Sequence, residues 1–493
     1  MRNHEFSLCR LPWLILSGGK QVGLLELFGM EEPVHLGGNP LQQFLAFRLL
    51  LAIVQNVIRL SSNDELEDLT IKEMKSRVSD YLHSHEKCFD LYDEQKPFLQ
   101  IAGLTSKKPL KIGGLIPGVS SGNTTVLNDG NLVKNITDSE KIYVLLQQVL
   151  YAFSGKKPDQ TILLGKGVKK SKSAPAAPAV GYLHCFVLGH DLMHSLLLNL
   201  LTEDDLEKIP SFSEGFGIAP WECMPTTENC PVAEKLKNSY LGRLIPLARF
   251  CRIDGQLLHM TEGITLPTLS TSAFADLSIP ISISQKNGKI EAKGTFARRE
   301  KQPWRQLEAI LGFMDKNSSY HCKQLSICLD RDSCEGRRLG IWCVGMQLTS
   351  QAGEQYLSGK DGFVESQILL ESNVEESMFY ARYCSEIKRL EKLAKSLSLC
   401  IKKYFDDMGS KTAADSYSRQ GVMYFWQNAS GLASELTHEC QEKTSEHQLT
   451  LRRKFAEVAV NVYKRVCREG NSRQTLAYTK NYPRLSWYLN VEK

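Results

Sequence analysis

Apolar residues recur at intervals of three and four along the C-terminal quarter of the chain. One such run extends over about seven turns from 380 to 404, and a second from 451 to 466; a glycine follows each. Residues 417–436 can supply a helix between them. This spacing places the apolar side chains on one helix face. The pattern predicts a bundle of about four antiparallel helices, the last near 474–482.

Shorter elements are predicted for the preceding part of the chain. Strand-like segments flank a Ser-Gly-Gly turn and a Lys-Asn-Gly turn, whereas other segments have helical periodicity. The predicted strands are 6–16, 21–27, 279–284 and 290–296, and the predicted helices are 40–53, 71–82, 139–153 and 183–201. We therefore predict an α+β protein, with a large mixed α/β N-terminal domain over 1–365 and a C-terminal four-helix bundle over 370–493.

Composition places the chain among globular proteins with more than one core. Its 493 residues are 42% hydrophobic and 23% charged. The most apolar run, 49–54, is flanked by Arg48 and Gln55, so no window reaches the roughly 18 apolar residues of a membrane span. The N-terminus does not resemble a signal peptide. Fourteen cysteines without C-x-x-C spacing predict buried thiols in a reducing compartment, and we expect a cytoplasmic protein without a membrane partner.

Charge is segregated along the chain, although the net value is only +5. Residues 101–180 contain eleven lysines and four acids, and residues 451–493 contain ten basic residues and three acids. Each segment therefore carries +7, and the remainder of the chain is acidic. Binding to a polyanion requires clustered positive charge, so this segregation favours a nucleic-acid-binding surface. Two solvated basic faces would produce the same composition.

Two sets of basic side chains are expected to reach a ligand. One set lies in 165–180, a Gly-, Lys-, Ser-, Ala- and Pro-rich stretch that cannot build a core and is predicted to be an irregular basic loop. The other lies on the last long helix, away from its apolar seam. The first set is Lys166, Lys169, Lys170 and Lys172, and the second is Arg453, Lys464 and Arg468. We expect both to contact phosphates, or for the second set acidic partners.

Catalytic signals are weak. Residues 118–122 fit the G-x-S-x-G pattern of serine hydrolases, but turn sequence follows where that motif needs a helix. His190 and His194, with Asp191 beside them, have spacing that could ligate a metal, and Asp191 at a helix start explains the same residues. We expect no catalytic residue, metal or cofactor. A metal-dependent nuclease or phosphohydrolase and a free-standing nucleic-acid-binding scaffold remain the alternatives.

Several short segments carry a family resemblance. Phe-Asp-Leu-Tyr-Asp at 89–93 precedes Lys-Pro-Phe-Leu-Gln at 96–100, and Leu-Leu-Leu-Asn-Leu-Leu-Thr occupies 196–202. A Gly-Val-Ser segment starts at 118, and Gly-Met-Gln at 345–347 leads into Ser-Gln-Ala at 350–352. Together these segments resemble the large subunit (CasA) of the type I-E CRISPR Cascade complex. The resemblance extends weakly over the whole chain.

This resemblance implies a non-enzymatic subunit of an RNA-guided complex. In such complexes pairing with the guide RNA reads the target sequence, and protein contacts read a short adjacent duplex motif, the PAM. The family contacts the PAM from the minor groove, where the hydrogen-bonding code is degenerate. The implied partners are the crRNA-containing Cascade subunits, double-stranded target DNA and a trans-acting helicase-nuclease.

The resemblance also implies which residues contact DNA. The tip of the first family loop corresponds to Val126, Leu127 and Asn128, with Val126 in place of the family's aromatic residue. The basic loop described above replaces a glycine-rich family loop. Ser350, Gln351 and Ala352 correspond to a hairpin that the family uses as a DNA wedge. A further minor-groove lysine of the family falls near 260–263, where this chain has no lysine.

Overall fold

The computed structural model of the chain describes a defined set of residues. These are 5–117, 135–157, 159–162, 164, 173–269, 274–286, 289–331, 339–358, 362–370, 376–441 and 445–490. The helices are α1 (Leu24–Gly29), α2 (Pro40–Val57), α3 (Asn63–Glu67), α4 (Ile71–Ser84), α5 (Asp138–Leu150), α6 (Leu192–Leu198), α7 (Glu203–Glu207), α8 (Pro231–Lys237), α9 (Tyr240–Leu244), α10 (Leu307–Ile310), α11 (Lys323–Leu329), α12 (Glu376–Asp407), α13 (Lys411–Ala429), α14 (Ala433–Gln441), α15 (Ser445–Val466), α16 (Ser472–Lys480) and α17 (Ser486–Leu489).

The strands form several small sheets. They are β1 (Leu14–Ile15), β2 (Gln21–Val22), β3 (Leu110–Lys111), β4 (Gly155–Lys156), β5 (Ser173–Ala174), β6 (Leu183–Leu188), β7 (Arg249–Asp254), β8 (Leu257–Glu262), β9 (Ile281–Lys286), β10 (Lys289–Gly294), β11 (Tyr320–His321), β12 (Leu339–Gln347), β13 (Thr349–Gln351), β14 (Glu354–Tyr356) and β15 (Gly362–Leu370). Three sheets have three strands, in the orders β10-β9-β11, β15-β12-β6 and β3-β8-β7. The pairs β1-β2, β4-β5 and β13-β14 form the others. The predicted α+β class is confirmed.

The described residues divide into two compact units. The first contains the residues up to Arg299, together with 319–331 and 339–367. The second contains 300–318 and the residues from Ile368 onward. The second unit therefore includes a segment that lies within the predicted 1–365 domain.

Helix α2 runs through the core of the first unit. Asn39 caps its N-terminus by accepting a hydrogen bond from the Gln42 backbone, and Pro40 occupies the first turn, where a missing N–H costs nothing. Every residue from 44 to 55 is buried, so the helix is apolar nearly all round. A helix with this pattern is packed on all sides. Its neighbours include α4, α5, α6, α9 and β12.

The prediction of one helix over 183–201 is wrong. The segment forms strand β6, and α6 begins only after Asp191. Strand β6 pairs antiparallel with β12, with Cys185 opposite Cys343. Five of its six residues are buried, so its sequence is a continuous apolar run. Such a run lacks the alternation that distinguishes a half-exposed strand from a helix.

The predicted N-terminal strands are much shorter than expected. The two strands that form there, β1 and β2, pair on either side of the Ser-Gly-Gly turn, and 24–29 is helix α1. The other predicted elements are present. Helices α2, α4 and α5 occupy the three remaining helical patterns, and β9 and β10 form the predicted hairpin.

The second unit is built on the long helix α12. Its seam residues, including Leu390, Leu397 and Ile401, are fully buried. Helix α13 runs antiparallel to it, and the close approach requires Gly421, where a Cβ would lie 2.3 Å from Cδ1 of Ile401. The segment 300–318 packs on α12 through the Tyr383 hydroxyl, which donates to the Trp304 carbonyl at 2.8 Å.

Thirteen cysteines fall among the described residues, and all are free thiols. Nine of them are buried. Burial raises the pKa of the Cys251 and Cys440 thiols to about 12, which keeps them neutral. Throughout the described ranges, no helix is long and apolar enough to span a bilayer.

Candidate nucleic-acid interface

A two-residue turn connects β13 and β14. The register pairs Gln351 with Glu354, which leaves Ala352 and Gly353 as the turn. Their φ angles are 51° and 83°. Two central residues with positive φ define a type I′ turn, whose twist matches that of a hairpin. The structure therefore places Ser350, Gln351 and Ala352 together at an exposed hairpin tip.

Hydrogen bonds hold this hairpin along β14 and at its tip. The Gln355 backbone N–H donates to the Ser154 carbonyl at 2.9 Å, and the Ser154 N–H donates back to Gln355 Oε1 at 3.0 Å. Nearer the tip, the Tyr356 hydroxyl donates to Gln351 Oε1 at 3.1 Å. The Gln351 side chain is thus exposed but already oriented along the hairpin.

Strands β4 and β5 lie at the two ends of the segment that contains the lysine-rich loop. Gly155 pairs with Ala174 and Lys156 with Ser173. Ser154, which anchors the hairpin, directly precedes β4. The stems of the loop therefore lie beside strand β14 of the hairpin. The loop lysines Lys166, Lys169, Lys170 and Lys172, the tip residues Val126, Leu127 and Asn128, and the G-x-S-x-G segment at 118–122 all lie outside the described residues.

Asp159 organises the chain just after β4. Its carboxylate accepts hydrogen bonds from the Thr161 hydroxyl at 2.6 Å and from the backbone N–H groups of Thr161 and Lys107 at 2.8 Å. The Thr161 hydroxyl and these N–H groups lower the pKa of Asp159 to about 2. The carboxylate therefore stays charged and ties 159–161 to the segment around Lys107.

Two of the eleven lysines in 101–180 do not contribute to a surface. Lys141 is buried and pairs with Asp138 at 2.8 Å, and Lys157 is buried and pairs with Glu262 at 2.5 Å. The exposed lysines among the described part of this segment are Lys107, Lys108, Lys111 and Lys156. Counting charges along the sequence therefore overestimates this basic surface.

The C-terminal basic residues separate into two groups. Arg453, Lys464 and Arg468 are exposed on or directly after α15, and none forms an ion pair with another described residue. Their neighbour Arg452 instead points inward, where its Nε donates to Glu386 Oε2 at 3.1 Å. Lys454 pairs with Glu435 at 2.6 Å. These three exposed residues are available to an external polyanion.

The histidine cluster forms a helix start. Asp191 caps α6 by accepting a hydrogen bond from the His194 N–H at 2.8 Å. The His190 Nε2 lies 3.6 Å from the other carboxylate oxygen of Asp191. Among the described residues, no group of three or more His, Cys, Asp and Glu side chains is arranged to hold a metal ion. The helix-capping interpretation accounts for Asp191.

The residues that position the hairpin have no signal in the sequence. Ser154 and Gln355 are 201 positions apart, and neither belongs to a recognisable motif. Similarly, Gln347 accepts a hydrogen bond through Oε1 from the Arg299 N–H at 2.7 Å. Only the tertiary fold brings these partners together.

The turn itself permits a stability prediction. Ala352 has a left-handed conformation that costs a non-glycine residue roughly 1 kcal/mol. The substitution Ala352→Asn creates Asn-Gly, the favoured type I′ pair. We expect about fivefold greater hydrogen-exchange protection of the β13 and β14 amides in the full chain. Unchanged protection, with global stability also unchanged, would contradict this account of the turn.

Known proteins match this chain in sequence. The family model described as CRISPR-associated protein Cse1 matches residues 8–465. A curated "CRISPR-associated protein CasA/Cse1" from Thermus thermophilus is 31% identical over 217 residues. That alignment spans 41% of this chain and 41% of the relative's length.

Solved structures share the fold over almost the whole chain. CasA from Thermus thermophilus has a TM-score of 0.74 at 18% identity, covering 98% of this chain and 99% of its own. Thermobifida fusca Cse1 has a TM-score of 0.76 at 17% identity, covering 98% and 97%. A chain of a CRISPR RNA-guided surveillance complex has a TM-score of 0.72 at 17% identity, covering 97% and 99%.

Proposed function

Because this chain belongs to the Cse1 family of CRISPR-associated proteins, we propose that it is the large subunit of a type I-E Cascade surveillance complex. In this role it binds crRNA-containing subunits, recognises the PAM duplex from the minor groove and helps to open the target DNA. It then recruits a trans-acting helicase-nuclease and performs no catalysis itself. The hairpin with Gln351 and Ala352 exposed at its tip is the observation that carries the proposal.

The hairpin has the properties of a wedge. Proteins that open or kink DNA from the minor groove insert a side chain between base steps, and each step costs a few kcal/mol to unstack. A wedge must therefore resist displacement. The type I′ turn and the paired hydrogen bonds between Ser154 and Gln355 provide that resistance. Side chains at the tip then enter the duplex while β14 stays anchored to Ser154.

Capture of the duplex is assigned to the basic loop and the tip of the first family loop. The loop lysines neutralise phosphates regardless of sequence, whereas Val126, Leu127 and Asn128 contact the PAM. The stems of the basic loop lie beside the hairpin. Capture and opening therefore take place on neighbouring parts of the first unit.

Reconstitution tests the function as a whole. A crRNA-containing complex assembled with this chain should open a PAM-containing duplex, and the same complex without it should not. Opening can be followed by permanganate reactivity of unpaired thymines beside the PAM. Equal opening with and without the chain would refute the proposal. Equal opening of duplexes with and without a PAM would refute PAM recognition alone.

Replacing Lys166, Lys169, Lys170 and Lys172 with alanine should weaken capture equally for all sequences. Each phosphate contact contributes about 0.9 to the slope of log affinity against log salt, so the slope should fall by about 3 to 4 units if all four lysines contact phosphates. The measurement is duplex affinity of the complex between low and physiological salt. A matched control replaces Lys402, Lys454 and Lys480, each already paired with a carboxylate. An unchanged slope for the loop variant would refute its role.

Charge reversal on the C-terminal face tests the second basic surface. Lys464→Glu with Arg468→Glu should weaken retention of an opened strand about tenfold or more, because two phosphate contacts become repulsions. The measurement is the lifetime of the opened target on the assembled complex. Lys454→Glu is the control, since Lys454 already pairs with Glu435. Normal assembly and normal lifetime for the double variant would show that the face only solubilises the bundle.

A further inference from the structure

An exposed aromatic pair lies on the first unit. The Phe296 side chain is 51% exposed, and its ring stacks on Tyr182 with centroids 4.9 Å apart and an interplanar angle of 21°. Phenylalanine has no polar atom that would offset this exposure. The Tyr182 ring also packs closely against Gly294, where a Cβ would lie 2.5 Å from its Cε1 atom. The pair is therefore a rigid apolar surface that faces solvent.

The backbone places this pair at the root of the hairpin. The Ala297 N–H donates to the Gly181 carbonyl at 3.0 Å, which aligns the segment after β10 with the start of β6. On its other side, Ala297 lies against β12, since a Cβ at Gly345 would be 2.8 Å from Cβ of Ala297. Two residues further along, the Arg299 N–H donates to Gln347, the last residue of β12. Strand β13 of the hairpin begins at Thr349.

Two arginines follow Phe296 closely along the chain. Arg298 and Arg299 are both exposed, and Arg298 forms no ion pair with any other described residue. Lys293, whose side chain is 72% exposed, pairs with Glu291 at 3.8 Å. A protein-binding hot spot would also use an aromatic residue, but a surface that combines an exposed ring with two exposed arginines complements a polyanion.

An exposed ring of this kind would favour single-stranded over double-stranded nucleic acid. Inside a duplex the faces of each base are covered by its neighbours, so a protein ring can stack only on a base that has left the helix. Base-aromatic stacking tolerates any sequence because every base has a π-face. The exposed Phe296 ring would therefore suit DNA that the hairpin has just opened.

We propose that Phe296, supported by Tyr182, is a stacking platform for a base of the DNA strand released at the hairpin, and that Arg298 neutralises an adjacent phosphate. This inference rests on the proposed function of the hairpin. It adds a second step to opening. The hairpin separates the base pair, and the platform holds one freed base so that the pair does not re-form.

The substitution Phe296→Leu tests the platform in the assembled complex. Leucine keeps an apolar side chain but has no π-face. Because position 296 is exposed, we expect the variant to fold like the parent. We expect initial PAM-duplex binding within about twofold of the parent and a lifetime of the opened state about tenfold shorter. Phe296→Trp should restore the lifetime. The probe is 2-aminopurine beside the PAM, whose fluorescence reports stacking.

A matched control removes an equivalent ring elsewhere. Tyr417 is also exposed and also stacks on a second ring, that of Phe405 at 4.3 Å. Tyr417→Leu should leave the lifetime unchanged. In addition, Arg298→Gln should lower the salt slope of single-stranded DNA binding by about 0.7, the contribution of one phosphate contact.

Crosslinking identifies the contact directly. A target with 5-iododeoxyuridine beside the PAM should crosslink under ultraviolet light to Phe296 or Tyr182. The platform is overturned if Phe296→Leu opens DNA with the parent's lifetime, or if this variant instead impairs assembly with the other subunits. Failure of the parent complex to open any PAM-containing duplex would overturn the proposed function itself, so the two failures are distinguishable.

Discussion

Replacing both Ser350 and Gln351 with glycine should slow the opening of a PAM-containing duplex by about tenfold to a hundredfold. The hairpin would keep its turn, because Ala352 and Gly353 form it. It would lose the side chains that enter the base stack, and unstacking one step costs a few kcal/mol. Assembly with the RNA-containing subunits and initial duplex binding should remain within about twofold of the parent. The measurement is the rate of permanganate reactivity beside the PAM.

A target that is already unpaired beside the PAM is the control for this variant. Such a target needs no wedge, so the parent and the double-glycine variant should form the open complex at equal rates. Rescue would show that the defect lies in base-pair separation. If the variant opens an intact duplex as fast as the parent, the wedge assignment is wrong. If premelting fails to rescue it, the substitutions have damaged a later step.

Arg48→Met should destabilise the first unit by about 3 to 5 kcal/mol. The Arg48 side chain is 3% exposed, and its Nη1 donates to Asp276 Oδ2 at 2.6 Å. Burial opposes ionisation of Asp276, yet Arg48, followed by His184 and the Ser278 hydroxyl, lowers the pKa of this carboxyl to about 2. Removing the guanidinium leaves the buried Asp276 carboxylate without its Arg48 partner. Urea denaturation monitored by tryptophan fluorescence measures this loss in the free energy of unfolding.

The pH dependence of the destabilisation by Arg48→Met tests whether the charge pair causes it. In the parent, the depressed pKa of Asp276 contributes stability above about pH 4 that disappears as the pH falls towards 2. In the variant, the buried carboxyl has a raised pKa and is protonated at higher pH, which relieves the penalty. The difference in the free energy of unfolding between parent and variant should therefore become smaller as the pH falls. Arg48→Met combined with Asp276→Leu should recover much of the loss at neutral pH, and failure to recover it would refute the charge-pair explanation.

Periodicity predicted the elements whose environment is the same along their whole length. Helix α12 keeps one buried face for its whole length, so its seam is visible in the sequence, and Gly409 with a φ of 78° ends it as expected. Strand β6 has no such one-sided environment. It is covered on both faces, and its apolar run merges in the sequence with that of α6.

The site was predictable only where local sequence determines it. The polar run ending in Gly353 indicated a tight turn, and the turn lies there. The charge of Lys141 and Lys157 was visible, but their burial against Asp138 and Glu262 depends on distant packing. Phe296 was unremarkable in the sequence for the same reason. Only the fold decides whether an apolar residue in a strand-like segment faces a core or solvent.

The hydrogen bonds between Ser154 and Gln355 have a consequence for engineering. Ser154 directly precedes β4, and β4 pairs with β5 on the far side of the lysine-rich loop. The hairpin and strands β4 and β5 are therefore connected directly and are not two exchangeable inserts. A chimaera that transplants 349–356 alone would lack Ser154, whose hydrogen bonds to Gln355 hold the hairpin. A homologous subunit that receives this hairpin should therefore receive 154–174 and 347–358 together.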